Sequence, residues 1–245
     1  MKLSILMPAY NEEKRILKTL KEYYPFFNKR FGKEFELIII PNNCNDKTLE
    51  IVNTFSKNKE NVIIKNIPFY VGKGGAVVKG FEISKGELIG FVDADNSTNP
   101  EEFFKLYKNI GNFDGIIASR KMKGAKIIPK RSLSKRMSSN LFTLFVKMIF
   151  NLKYKDTQCG AKLFKKETAK FLSKKITRKS WEFDVNLLYL CKKNNLKIKE
   201  FPIVWNDCEG SKVTGIEGVK SIFKLIEYKI ELIFSKSPKQ RTQKI

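Results

Sequence analysis

Five short apolar runs, with helical patterns between most of them, constrain this chain more than any other feature. Residues 3–7 (Leu-Ser-Ile-Leu-Met) read as a buried strand stopped at Pro8, and residues 35–40, 62–64, 88–92 and 113–119 read as further strands. A helical pattern with Ile16, Leu17 and Leu20 in its apolar stripe covers 12–24, another covers 48–55, and a third covers 76–84. The second strand runs into a turn, Pro41-Asn42-Asn43-Cys44-Asn45-Asp46, and the fourth ends on Asp93-Ala94-Asp95. Strand–helix alternation of this kind predicts an α/β fold with a mostly parallel, doubly wound sheet flanked by helices. Ligands of such sheets sit at the carboxyl ends of the strands, which is where Asn11, Asn42 and the acidic pair fall.

After residue 120 the pattern changes. Amphipathic helices are expected over 132–151, 181–193 and 218–235, with a strand over 198–205 broken by Pro202. The chain therefore divides into a half at 1–120 that carries the strand-end polar residues, a helix-rich half at 121–235, and a basic tail at 236–245 expected to be disordered. Charge follows the same division. The whole chain holds 48 Lys+Arg against 25 Asp+Glu, a net +23, and residues 120–179 alone hold 19 basic against 2 acidic groups. A block of that kind seeks a polyanion: nucleic acid, an anionic membrane surface or a phosphorylated substrate. No zinc-finger, RRM or helix-turn-helix pattern accompanies it, so nucleic acid is the remote alternative.

There is no histidine. Its absence removes Ser-His-Asp and Cys-His catalysis and every histidine metal site, leaving carboxylates, lysines or a bound metal to carry any chemistry. Cys44, Cys159, Cys191 and Cys208 form no C-x-x-C pair and are expected to be reduced thiols. No signal peptide is recognisable, and the charge-free window 137–146 is too short to cross a bilayer, so a peripheral placement is expected.

Asp93-x-Asp95 is the sharpest chemical feature. Two carboxylates at one strand end repel unless a positive group lies between them, and Mg²⁺ or Mn²⁺ takes one or two carboxylates together with phosphate oxygens. The competing reading has Asp95, Asn96 or Ser97 capping a helix at 101–107. Gly72-Lys73-Gly74-Gly75 is a candidate phosphate loop without Walker or dinucleotide spacing, equally readable as a turn before a helix; its Lys73 is suited to a phosphate.

Taken together, Pro8-Ala9-Tyr10-Asn11-Glu12, Asp93-Ala94-Asp95 and Ser119-Arg120 resemble the family 2 glycosyltransferases of GT-A fold. In the second half, Asp156-Thr157-Gln158-Cys159-Gly160-Ala161-Lys162-Leu163-Phe164, Trp181-Glu182-Phe183-Asp184-Val185 and Glu209-Gly210-Ser211-Lys212 resemble the dolichyl-phosphate β-glucosyltransferase branch. The resemblance implies inverting transfer of a hexose, glucose first, from a UDP-sugar to a dolichyl or polyprenyl phosphate at the cytoplasmic membrane face. It implies that Pro8, Ala9, Tyr10, Glu12, Asn42, Asp46, Lys73, Asp93 and Ala94 hold the nucleotide sugar, and that Asp93 and Asp95 hold Mg²⁺ or Mn²⁺. It further implies that Arg120, Lys130 and Arg131 grip the acceptor phosphate and that Asp184 is an acceptor-side carboxylate, catalytic with Asp93 and Asp95. Pro41-Asn42-Asn43-Cys44 stands where family members usually read Asp-Asp-Gly-Ser, and Ser97 stands where the mannose branch commonly carries Gln, which favours a UDP-sugar over GDP-mannose. UDP-GlcNAc, GDP-mannose and a sugar-hydroxyl acceptor are the alternatives.

Such an acceptor agrees with the composition. A phosphate monoester has a second pKa near ~6 and is largely a dianion at neutral pH. It needs orientation and neutralisation rather than a general base. The 132–151 helix, apolar at Leu141, Phe142, Leu144, Phe145 and Val146 and flanked by cations, reads as an interfacial helix or a core helix, as does the last helix.

Overall fold

The computed structural model describes residues 1–130, 132–180, 182–207 and 215–234. The chain alternates β1 (Leu3–Ala9), α1 (Ile16–Phe31), β2 (Phe35–Pro41), α2 (Thr48–Ser56), β3 (Val62–Ile64), α3 (Gly72–Ile83), β4 (Leu88–Phe91), α4 (Pro100–Asn109) and β5 (Gly115–Ser119). The second half adds β6 (Lys126–Ile128), α5 (Leu133–Phe150), β7 (Lys162–Lys165), α6 (Lys166–Lys175), α7 (Phe183–Lys193), β8 (Ile198–Pro202), β9 (Val204–Asn206) and α8 (Gly215–Phe234).

Seven strands form one sheet in the order β3-β2-β1-β4-β7-β5-β8, and β6 pairs with β9 in a small parallel sheet beside it. Strands β1 to β4 are mutually parallel where they pair, as the alternation predicts. The expectation of a mostly parallel sheet needs one amendment. Strand β7 lies antiparallel between β4 and β5 and joins the two parallel groups. The sheet order turns back at β1, which has β2 on one side and β4 on the other, so the ligand crevice of a doubly wound sheet opens above β1 and β4.

Side chains leave the strands with period two. Leu3, Ile5 and Met7 of β1 and Phe35, Leu37 and Ile39 of β2 pack with Ile16, Leu20 and Phe27 of α1 and Phe103 of α4 on one face. Leu6, Ile38 and Ile40 pack with Val77 and Phe81 of α3, Leu172 of α6 and Phe183 of α7 on the other. Pro8 stays inside β1, although the sequence suggests a stop there. Its partner on β2 is Ile40, and it lies past Leu6, the last residue paired with β4, so no hydrogen bond of the ladder is lost. Helix α1 likewise runs through Pro25 and seven residues beyond the expected end. Packing outweighs the broken hydrogen bond, because Phe26, Phe27 and Phe31 meet Phe35, Phe103, Phe104 and Tyr107 in one aromatic cluster.

Two glycines set close approaches near the crevice. Gly72 has φ +71° and starts α3 so near the loop before α7 that a Cβ would lie 2.3 Å from the Lys179 carbonyl oxygen. The glycine run read as a loop is therefore the first turn of α3, and Lys73 is carried on a helix N-terminus. Gly160, before β7, lets the chain press against Asp93, where a Cβ would lie 1.7 Å from Oδ2.

Candidate active site

Three groups of side chains meet at the carboxyl ends of β1, β4 and β5. The first surrounds the end of β1, where Tyr10 follows Ala9 and Asn11 turns the chain at φ +51°. Asn42 is buried; its backbone N–H donates to the Ala9 carbonyl (2.9 Å) and its Oδ1 accepts from the Val71 N–H (2.9 Å). Asp46 accepts from the Glu13 N–H and the Thr48 N–H, both at 3.0 Å. These backbone donors help hold its carboxyl below the ordinary range in spite of burial, which pushes the other way. The Glu12 N–H donates to Thr48 Oγ1 (2.7 Å), and the Glu12 carboxylate takes two bonds from Arg15, at 2.7 and 2.8 Å. Asn42 and Asp46 thus brace the loops of this corner, and a cavity of about 600 Å³ opens between residues 11–15 and Asn45–Asp46.

The second group follows β4. Asp93 Oδ1 lies 2.6 Å from Lys73 Nζ, and both side chains are about one-third exposed (33% and 30%). Burial raises the affinity of Asp93 for a proton, but Lys73, Lys162 and Arg120 outweigh it and hold the carboxyl below its ordinary range. Asp95 goes the opposite way: burial and the Asp93 charge raise it, against the Ser97 N–H that bonds Oδ1 at 2.9 Å. Two carboxylates two residues apart are thus driven apart in acidity. The helix-cap reading of Asp95 fails, because Asn99 caps α4, its Oδ1 accepting from the Glu102 N–H at 2.9 Å. Behind the pair, Asp184 of α7 is buried and bonded to Lys162, whose ammonium also donates to the Cys159 carbonyl at 2.7 Å. Lys162 is fully buried. Among the described residues no group of three His, Cys, Asp or Glu side chains is placed to hold a metal.

The third group follows β5. Arg120 makes a two-pronged ion pair with buried Asp156 (Nε–Oδ2 2.7 Å, Nη2–Oδ1 2.9 Å) and lies over the Trp205 ring. Its backbone N–H donates to the same carboxylate at 3.0 Å. Burial pushes the Asp156 carboxyl up, yet Arg120 holds it well below the usual carboxylate range. From Arg120 a cavity of about 740 Å³ extends along β6 to the start of α5, lined by Lys121, Lys126, Lys130 and Arg136 together with Met122, Ile127 and Ile128. Arg131, Trp181, the Glu209-Gly210-Ser211-Lys212 motif and the 236–245 tail lie outside the described residues.

The structure therefore brings Lys73, Asp93, Asp95 and Asp184 to one centre, sets Tyr10, Glu12, Asn42 and Asp46 on one side of it, and sets Arg120 and Lys130 on the other. Sequence reasoning assigned no individual role to Lys162, Gly160, Thr48 or Arg136. A lone lysine inside the apolar run Ala161-Lys162-Leu163-Phe164 was the available signal for Lys162, since a buried lysine requires a partner. Cys159 and Cys191 are buried thiols raised by burial to about 11 and about 12, as expected of structural cysteines.

A sheet of this order, with a carboxylate pair at the end of β4, is that of the GT-A fold. The chain superposes on glucosyl-3-phosphoglycerate synthase of Mycobacterium tuberculosis, solved with UDP, at a TM-score of 0.69 with 14% identity, over 94% of this chain and 79% of that one. The same enzyme solved with Mn²⁺, UDP-glucose and phosphoglyceric acid gives 0.67 over 93% and 79%. The glycosyl transferase family 2 profile matches residues 4–181, and the chain belongs to that family. It is 32% identical to the dolichyl-phosphate beta-glucosyltransferase of Dictyostelium discoideum over 86% of this chain and 68% of that protein. To the human protein of the same name it is 30% identical, over 86% and 69%.

The Arg120–Asp156 pair supports both the end of β5 and the loop before β7. Replacing Asp156 with Asn leaves a buried guanidinium unpaired and should cost about 3–5 kcal/mol at neutral pH. Because the folded carboxyl is depressed below its unfolded value of ~3.9, its contribution is complete above that value and is lost as pH falls through the folded one. Urea unfolding should show a wild-type advantage that is level at neutral pH and shrinks below about pH 4. An advantage that persists unchanged into strong acid would contradict this account of the pair.

Proposed function

We propose that this chain transfers glucose from UDP-glucose to dolichyl or a related polyprenyl phosphate, inverting the anomeric carbon. One observation of the structure carries the reading: a cavity rich in cations and partly apolar begins at Arg120, beside the Asp93–Asp95 pair, and runs to the foot of α5. A phosphate on a long hydrocarbon chain matches that combination, whereas a sugar-hydroxyl acceptor needs neither the charge nor the apolar wall. The names and near-30% identity of the relatives support the same donor and acceptor.

In this reading Tyr10, Glu12 and the loop braced by Asn42 and Asp46 receive the nucleoside, with Pro8 and Ala9 forming the strand end beneath it. Lys73 meets the diphosphate. Asp93, which is paired to Lys73, and Asp95 are the carboxylates that would hold Mg²⁺ or Mn²⁺. Two carboxylates without a third ligand fit an ion that completes its shell with diphosphate oxygens. Bound there, the ion would supply charge neutralisation of the leaving diphosphate. Arg120 is balanced by Asp156, so the net positive charge that draws the acceptor phosphate comes from Lys126, Lys130 and Arg136, together with Arg131. Asp184, tied to Lys162, suits the role of orienting its neighbours better than that of taking a proton. The dianionic phosphate needs no proton removed.

Peripheral attachment to an anionic cytoplasmic membrane face completes the proposal. Helix α5 buries Val146 and Phe150 but exposes Leu133, Met137, Leu141, Leu144 and Met148, a stripe at helical spacing. Its neighbour α8 buries Leu225 and Tyr228 and exposes Phe223, Ile230, Ile233 and Phe234. Exposed Arg136, Lys220 and Lys224 accompany these stripes, an arrangement suited to the headgroup region. Among the described residues no helix is long and apolar enough to cross a membrane.

Incubating purified protein with radiolabelled UDP-glucose, UDP-GlcNAc or GDP-mannose, a polyprenyl phosphate and Mg²⁺ or Mn²⁺ should move label from UDP-glucose alone into the organic phase. Asp95→Asn should lower that transfer by about 100-fold or more. Label from another donor would replace the sugar assignment, and none from any donor would overturn the reading. For the membrane face, Leu141→Asp combined with Met148→Asp should reduce co-sedimentation with phosphatidylserine vesicles severalfold. Unchanged sedimentation would remove α5 from the contact.

A further inference from the structure

Tyr10 is not alone at the mouth of the crevice. The segment between β3 and α3 carries Phe69 and Tyr70, 64% and 56% exposed, and the Tyr70 ring meets the Tyr10 ring edge-on with centroids 5.5 Å apart. Large aromatics this exposed gain little from folding, so their position calls for another explanation. The segment is firmly attached. The Ile67 N–H donates to the Pro41 carbonyl (2.9 Å), the Asn43 N–H to the Ile67 carbonyl (2.8 Å), and the Val71 N–H to Asn42 Oδ1 (2.9 Å). Three hydrogen bonds thus fix the aromatic residues to the turn that follows β2, and Gly72 fixes the start of α3 against Lys179. Only two residues separate Tyr70 from Lys73, whose ammonium lies at the Asp93 carboxylate.

We propose that Tyr70 is a specificity-determining residue of the donor site, forming with Tyr10 an aromatic corner that packs against the base of the nucleoside diphosphate. The inference rests on the nucleotide-sugar reading above and adds to it the residue that holds the base. A planar heterocycle is the part of such a donor that an aromatic corner recognises, since ring contacts follow π-faces and edges rather than charge. The placement also gives the donor a direction. The base lies at Tyr10 and Tyr70, and the diphosphate reaches Lys73 at the start of α3. Asn42 then has a defined task, because its Oδ1 holds the Val71 N–H and with it the angle of the Tyr70 ring. Asn at this position supplies that acceptor without adding a negative charge beside the diphosphate.

Calorimetric titration of the whole chain with UDP, with and without Mn²⁺, tests the proposal. Tyr70→Ala should weaken UDP binding about tenfold under both conditions, because the lost contact is to the base and not to the phosphates. Tyr70→Phe, which keeps the ring, should recover most of the affinity. Tyr70 is more than half exposed, and an unchanged far-UV spectrum and Tm would show that Tyr70→Ala is folded. If wild type binds UDP and Tyr70→Ala binds it equally well, the aromatic corner is wrong while the transferase reading stands. A loss seen only with Mn²⁺ would assign Tyr70 to the phosphate side and also overturn it. If wild type binds GDP in preference to UDP and Tyr70→Ala weakens GDP, the corner is right and the uridine donor is wrong. If wild type binds neither nucleotide, both fail.

Discussion

The Asp93 carboxylate at the end of β4 is the point on which the surrounding structure turns. A negative charge in that partly enclosed position persists only with positive charge around it. Lys73 comes from α3, Lys162 from β7 and Arg120 from the residue after β5, so three separate segments are drawn to one carboxylate. Each cation is answered in turn: Lys162 by Asp184 of α7 and Arg120 by Asp156 of the loop before β7. The close approach of Gly160 to Asp93 then fixes where that loop passes. The alternation of sign continues from donor side to acceptor side and links the parallel β1–β4 group to the strands beyond β7.

In the proposed function this arrangement separates the work of a donor side and an acceptor side. On the donor side most of the polar groups predicted to bind a ligand are first used to build the corner, with Asn42 holding Val71 and Asp46 holding residues 13 and 48. What remains for a ligand there is shape, aromatic surface and Lys73. On the acceptor side positive charge exceeds its local partners. The basic block at 120–179 resolves into two kinds of residue: Arg120 and Lys162, which neutralise carboxylates within the fold, and Lys126, Lys130 and Arg136, which line a cavity. In the proposed function this charge pattern, first compatible with nucleic acid, serves one lipid-borne phosphate and a membrane surface.

Much of the fold was legible because its signals are local. The apolar runs 3–7 and 35–40 and the turn-rich residues after the second located β1 and β2, although β1 passes through the expected stop at Pro8. Strand β7 was not legible, because a buried lysine interrupts its apolar run and the partner that permits the burial, Asp184, lies 22 residues away. Pro25 misled for the converse reason: a local breaker was overruled by an aromatic cluster assembled from α1, β2 and α4. At the site, the residue types Asp93, Asp95, Lys73 and Arg120 could be read, but not that Arg120 is already balanced by Asp156. That distinction depends on which side chains touch across the sheet. Tyr70 lay in a segment with no motif, and only its contact with Tyr10 brings it into view.

The central claim is that this histidine-free site works by neutralising and aligning two phosphate-bearing substrates rather than by removing a proton. The pH dependence of transfer to polyprenyl phosphate, at saturating UDP-glucose, tests it most directly. The rate should rise with the second ionisation of the acceptor phosphate, near pH ~6, and then stay level well into the alkaline range, with the same profile in Asp184→Asn even if its rate is lower. A bell-shaped profile whose limb moves or vanishes in Asp184→Asn would show a protein base at work and contradict the account.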